Sequence, residues 1–365
     1  DLLVRGAVKL VGGHVAAIPW IMFFVTALLT AIGALSPAAV AIIAPIALTF
    51  AARHGISPLL MGMMVIHGAQ GGGFSPISVY GVTVNGVVDK GGLDVSPVAV
   101  FLSSLLFNLA IAAGLFLVLG GRSLRDRRAD DGTGPAAVDE GDLPPSGGGA
   151  TPVGTLATQA SPATGRATFA QVATVVGLVV LAVVSLGFKV DVGFVAITIA
   201  VVLALLSPAE QKGALGQVSW STVMLIGGVL TYVSVLQEAG TIDYVGGAVA
   251  GLGVPLLAAV LLCYIGGVVS AFASSTAILG VTIPLAVPFL LQGDVSAVGL
   301  VCALAISSTI VDVSPFSTNG ALVLANAQGI DRDVFYQQIL RYSGLVVLVG
   351  PLVAWAVLVL PGIGR

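Results

Sequence analysis

The residues best equipped for chemistry lie in one polar run, Ser307 to Gly320, which reads Ser-Ser-Thr-Ile-Val-Asp-Val-Ser-Pro-Phe-Ser-Thr-Asn-Gly inside otherwise apolar sequence. Asp312 offers a carboxylate, Ser314, Ser317 and Thr318 offer hydroxyls, and Asn319 offers an amide. Pro315 cannot continue a regular helix, because it lacks the N–H and its ring clashes with the preceding turn. Carbonyls are thereby freed beside the hydroxyls, and hard oxygens of this kind suit Na⁺ better than nitrogen or sulfur would. The run has a twin: Ser75-Pro76-Ile77-Ser78-Val79-Tyr80-Gly81 repeats Ser314-Pro315-Phe316-Ser317-Thr318-Asn319-Gly320 at Ser, Pro, Ser and Gly, at an offset of 239 residues (314 − 75). Interrupted apolar segments at matching places in two halves point to the binding site of a secondary transporter.

The chemistry on offer is ion binding. Helix N-termini present free N–H groups and a partial positive charge, and hydroxyls add donors without adding charge. A carboxylate ligand suits such a place. The helix-end contribution is about 0.3–1 kcal/mol when exposed and up to about 2 when partly buried, whereas desolvating a dianion costs several kcal/mol per charge. A co-bound cation makes up the difference. Asp312 is the one acid within a motif, and we read it as a cation ligand or proton carrier, against the plainer role of a helix cap. Its counterpart in the first half is Gly73, and that of Asn319 is Tyr80. His67 reads as a hydrogen-bonded packing residue rather than a protonation switch, with Gln70 beside it. Asn108 and Asn326 read as interhelical hydrogen-bonders, while Thr26, Thr30 and Ser270 read as hydroxyls bonded back to their own helices.

These motifs need a membrane around them. The chain has 365 residues, 57% hydrophobic and 8% charged, with a mean hydropathy of +1.09; soluble proteins carry about 25% charged residues. It is therefore a polytopic membrane protein. The formal charge of −3 comes without a basic stripe, so nucleic acid is not an expected partner. Cys263 and Cys302 lie in apolar stretches and read as small packing residues, not a disulfide. Apolar segments run from Val15 to Ala34, Ala38 to Ala52, Val98 to Leu119, Val172 to Phe188, Val192 to Leu206, Val223 to Leu236, Pro255 to Phe272, Ala277 to Leu291 and Ile339 to Leu360. Between the halves, the composition from Gly120 to Thr168 predicts a disordered linker, and Arg122, Arg125, Arg127 and Arg128 place it on the cytoplasmic side.

The offset of 239 also pairs Ala34 with Ala273, Ser36 with Ser275, Pro45 with Pro284, Phe50 with Phe289 and Ser57 with Ser296. Prolines and paired Ser-Pro motifs at one offset are hard to obtain by chance, and they indicate duplication. Each half thus has two breaks, near Ser36 or Ser275 and near Ser75 or Ser314. Asp1 lines up with Gly240, so the first half lacks partners for the segments between the linker and Asp243, and we expect an N-terminal truncation.

With these motifs the sequence resembles the divalent-anion:sodium symporter family of the ion-transporter superfamily, and within it the bacterial malonate-type dicarboxylate carriers. The resemblance implies an all-α polytopic fold of two inverted-topology repeats, each with a re-entrant hairpin and a broken helix. The expected division is 1–119 for the first repeat, 120–168 for the linker and 169–365 for the second repeat. Ser274-Ser275-Thr276 stands where the family's hairpin tip carries Ser-Asn-Thr, and Leu35-Ser36-Pro37 stands in the first half. Ser75-Pro76 and Ser314-Pro315 stand where the family has Thr-Pro. The tip asparagine is serine in both halves here, and the first tip lacks the outer hydroxyls. Substrate contacts are then expected from Ser36, Pro37, Ser75, Pro76, Ser78, Ser275, Thr276, Ser314, Pro315, Ser317, Thr318 and Asn319. Cation contacts are expected from Ser36, Phe74, Ser274, Ser275, Asp312 and Val313. We expect Ser36, Ser75, Ser275 and Ser314 around one midplane cavity.

The implied activity is transport of small di- or tricarboxylates of the malonate, malate or succinate type across the inner or plasma membrane. Na⁺ or H⁺ is the coupling ion, no other cofactor is expected, and a homodimer is the candidate assembly. Two alternatives stay open: an arsenite or Na⁺/H⁺ antiporter of the same superfamily, and the membrane subunit of a binding-protein-dependent carboxylate transporter. An enzyme is not expected, because a serine hydrolase needs a base-paired nucleophile and no such signature accompanies His67.

Overall fold

A computed structural model describes residues 14–120, Leu124, 169–208 apart from 189 and 191, scattered positions from 213 to 244, 255–272, 275–291, 295–327 and 330–362. The linker expected at 120–168 lies almost wholly outside these residues, as do Ser274 and most of the stretch from Asp243 to Gly253. The described residues form helices and no strand. In chain order these are α1 (Ile18–Ala31), α2 (Ser36–His54), α3 (Pro58–Gly72), α4 (Val79–Lys90), α5 (Pro97–Val118), α6 (Phe169–Phe188), α7 (Val192–Leu206), α8 (Pro255–Ser270), α9 (Ser275–Leu290), α10 (Ala297–Ile310), α11 (Thr318–Ala325) and α12 (Arg332–Leu358). A short 3₁₀ turn precedes α1, and a second, Val311–Val313, follows α10.

Helix starts follow local chemistry. Pro19, Pro37, Pro58 and Pro97 occupy first-turn positions, where a missing N–H costs nothing. Ser57 and Ser296, paired by the offset of 239, accept from Leu60 N and Gly299 N respectively. Pro45 sits inside α2 without ending it, and Thr49 Oγ1 donates to the Pro45 carbonyl at 2.8 Å. α12 begins at Arg332, ahead of the apolar span expected from Ile339, because Asp331 caps it by accepting from Asp333 N and Val334 N. The polar opening turns extend a helix whose apolar part alone was legible in hydropathy.

Packing repeats with the sequence. α1 lies on α3 as α8 lies on α10; α3 lies on α5 as α10 lies on α12; and across the halves α2 meets α11 while α4 meets α9. The α1–α3 contact is close because a side chain at Gly68 or Gly72 would run into the backbone at Phe23 or Ala27. Among the described residues, four helical stretches, Ser36–His54, Pro97–Val118, Ala297–Ala325 and Arg332–Leu358, are long and apolar enough to cross a membrane. Large apolar side chains such as Leu106, Val118, Leu345 and Leu348 point outward, while Thr26, Ser104, Asn108, Ser307, Ser308 and Thr309 are buried. A fold with apolar groups outside and polar groups inside is that of an all-α polytopic membrane protein.

Candidate functional site

Both Ser-Pro breaks are built by the same hydrogen bonds. After α3 the chain leaves helical geometry at Gly73 and re-enters it at Val79; after α10 it does so through Val311–Val313 and re-enters at Thr318. Ser78 Oγ donates to the Ser75 carbonyl at 2.7 Å and to the Gly73 carbonyl, and accepts from Gly81 N. Ser317 Oγ donates to the Ser314 carbonyl at 2.7 Å and to the Asp312 carbonyl at 2.6 Å, and accepts from Gly320 N. Gly81 and Gly320 are required at these places, because a Cβ at either would meet the carbonyl oxygen of Ser75 or Ser314. The second serine of each motif is therefore an N-cap that folds the break onto the next helix.

Where the breaks differ, they reach across the molecule. Asn319 Nδ2 donates to Ser36 Oγ at 2.8 Å and to Asp312 Oδ2 at 3.0 Å. Ser36 opens α2, so the second break touches the tip of the first helix pair. In the first half the same position is Tyr80, whose side chain meets Ser275 and Thr276 at the start of α9. Asp312 also meets Ser275 and Ser317. Ser36, Asn319, Asp312, Ser275, Thr276 and Tyr80 thus form one buried chain of polar contacts with members from both halves. Asp312 has no ion pair among the described residues, and the Asn319 Oδ1 atom is buried without a hydrogen-bond partner. Ser270 does not bond back into its helix. As the last residue of α8 it donates instead to the Ser308 carbonyl at 2.6 Å and to Ser275 Oγ at 3.0 Å.

The remaining expected residues take supporting places. Ser75, Ser314 and Pro315 are buried in the breaks and Pro76 is half-buried. Pro37 lies in the first turn of α2 and is half-buried. Phe74 packs its ring on Tyr80 at 5.5 Å, and Val313 is fully buried, so either could bind a cation only through its carbonyl. Thr318 is exposed. Thr26 and Thr30 do bond back, to Met22 and to Thr26 and Ala27. Asn326 caps the end of α11 by donating to Leu322 rather than to another helix.

A second polar group lies beside the first break. Asn108 Nδ2 donates to the Ser104 carbonyl at 3.0 Å, which leaves its Oδ1 to accept from His67 Nδ1 at 2.9 Å. His67 Nε2 then accepts from the Tyr342 hydroxyl at 2.6 Å. His67 is a packing residue bonded at both nitrogens. It joins α3 of the first half to α12 of the second. Tyr342 carries no motif and was invisible in sequence, Ser270 was read there only as a back-bonded hydroxyl, and Tyr80 stood out there as the partner of Asn319 in the repeat without a role of its own.

Buried hydroxyls, an amide and one carboxylate are thus gathered at broken helices of a membrane-embedded bundle. Comparison with known families points to a transporter. The model of the dicarboxylate carrier protein MatC N-terminus matches residues 1–73, and the citrate transporter model matches residues 189–362. The two matches, one in each half, support a divalent-anion/carboxylate transporter family for this chain. No curated protein matches the chain.

Proposed function

We propose that this protein is a secondary active transporter of small di- or tricarboxylates in the cell membrane, coupled to a cation at Asp312. Its two halves are inverted repeats, and the substrate binds near the midplane between the helix-pair tips at Ser36 and Ser275 and the breaks at Ser75 and Ser314. The observation that carries this reading is the Asn319 bridge between Ser36 Oγ and Asp312 Oδ2. One amide ties a tip of the first half to the acid of the second. Movement of either half therefore changes the surroundings of the carboxylate.

The energetics favour coupling. A buried carboxylate with only neutral partners is costly until a cation or proton joins it. The same cation offsets the charge of an incoming dianion, which hydroxyls and helix ends cannot do alone. Freed carbonyls at Val313 and Phe74 and the hydroxyls of Ser36 and Ser275 are suitable oxygen ligands.

The test is uptake into proteoliposomes with a panel of labelled malonate, malate, succinate and citrate, in Na⁺ and in choline, at two pH values. Accumulation of at least one carboxylate that depends on a Na⁺ or H⁺ gradient is the expected result. Accumulation independent of both gradients overturns coupling, and absence of any carboxylate uptake overturns the substrate class.

A further inference from the structure

The second break carries an aromatic pair that the cluster at Asp312 does not use. Phe316 stands between Pro315 and Ser317, and Phe272 lies in the connection from α8 to α9. Their rings stack with centroids 5.7 Å apart and planes at 29°, and Tyr336 meets Phe316 edge-on at 6.5 Å. Phe272 nevertheless remains 70% exposed and Phe316 57% exposed. The footing of Phe316 is fixed, because its N–H donates to Ser314 Oγ at 3.2 Å and its neighbours Pro315 and Ser317 are buried. Phe272 belongs to the opposing element, three residues ahead of Ser275, which meets Asp312 and Tyr80. The stack therefore spans the angle between a tip and a break, and the polar cluster depends on that angle.

At its break the first half has a buried ring pair, Phe74 and Tyr80, and no exposed one among the described residues. The offset of 239 puts Gly33 and Ile77 in place of Phe272 and Phe316. Beside that break lies a groove of about 250 Å³ lined by Ile77, Ser78, Val82, Thr83, Gly86 and Lys90. One break thus carries an exposed ring stack while the other carries a groove. An alternating carrier needs that asymmetry, since both routes to the site must never be open together.

We propose that Phe272 and Phe316 form a gate over the Asp312–Asn319 cluster, and that the Phe316 ring limits the size of the carboxylate admitted. The proposal rests on the transport reading above. Stacking of two rings holds the tip against the break, and its loss shifts that closure by about two- to twelve-fold. A carboxylate must displace the stack to enter or leave on this side, and the ring that stays on the break sets the clearance.

The experiment uses the full chain in proteoliposomes, with malonate and citrate as the small and large probes. Phe272→Ala and Phe316→Ala should each speed malonate exchange by about two- to twelve-fold, and the double variant should do no more than either alone. Phe316→Ala should also raise the ratio of citrate to malonate uptake, with Phe316→Leu intermediate. Unchanged unfolding temperatures in detergent show that the variants are folded; if Phe316→Ala is not, Phe316→Leu carries the test. Because Cys263 and Cys302 are buried, a Cys263→Ala/Cys302→Ala background allows Phe316→Cys to be labelled by a membrane-impermeant thiol reagent, with malonate protecting it. Labelling only by a lipid-soluble maleimide, without protection, shows that the rings face lipid and overturns the gate. Unchanged exchange and an unchanged probe ratio also overturn it. Wild-type vesicles that move neither anion overturn the transport reading and the gate together.

Discussion

Asp312 has a side-chain role and a backbone role, since its carboxylate faces the Asn319 amide and Ser275 while its own carbonyl accepts from Ser317 Oγ, the cap of the next helix. Asp312→Asn keeps the shape and most hydrogen bonds while removing the charge. Cation-driven accumulation should be abolished while exchange of substrate across the membrane persists; concentrative uptake that survives in this variant reduces Asp312 to a structural role. Asn319→Ala leaves Asp312 Oδ2 and Ser36 Oγ without their shared donor. Loss of such a donor costs about 1–3 kcal/mol, and the unfolding temperature and the apparent cation affinity should fall together. The two measurements separate a residue that holds the acid in place from one that only touches substrate, because the latter would leave the cation titration unmoved.

At the scale of elements, the breaks depend on two small devices that recur: a capping serine and a glycine pressed against a carbonyl. Gly320→Ala and Gly81→Ala push a methyl group into the Ser314 or Ser75 oxygen, and overpacking of this kind costs about 1–3 kcal/mol. Thermal unfolding should register that loss in both variants, and a similar cost at both positions is expected from the shared geometry. Ser317→Ala removes the cap and should cost about 1 kcal/mol. These local devices were legible in the sequence because caps, prolines and glycines act on their immediate neighbours, so the offset of 239 located both breaks and the helix starts at Ser36 and Ser275. The partnerships were not legible. Asn319 with Ser36, His67 with Tyr342, and Phe272 with Phe316 join residues far apart in the chain, and hydropathy carries no signal for which apolar helices meet. Ser270 was misread as a hydroxyl bonded into its own helix for the same reason: its partner, the Ser308 carbonyl, lies 38 residues away in the chain.

For the whole molecule, the two breaks share their capping hydrogen bonds yet differ at two linked positions. The second half has Asp312 and Asn319; the first has Gly73 and Tyr80. These exchanges belong together sterically. A Cβ on Gly73 would lie 3.0 Å from Tyr80 Cδ2 and 3.2 Å from the Ala69 carbonyl, so the large ring and the missing side chain are one accommodation. Gly73→Asp alone should therefore destabilise the protein, by crowding the ring and burying a second unpaired carboxylate. Gly73→Asp with Tyr80→Asn removes the ring and rebuilds in the first half the acid–amide pair of the second, with Ser275 placed for the new amide as Ser36 is for Asn319. If the halves are functional equivalents, the double variant should regain part of the stability lost in Gly73→Asp. Its carboxylate uptake should then depend on cation concentration more steeply than in the wild type. Thermal unfolding and a cation titration of initial uptake rates measure the two effects. Recovered stability with an unchanged cation dependence would confine coupling to the second half. A double variant no more stable than Gly73→Asp would show that the two breaks are alike in backbone only.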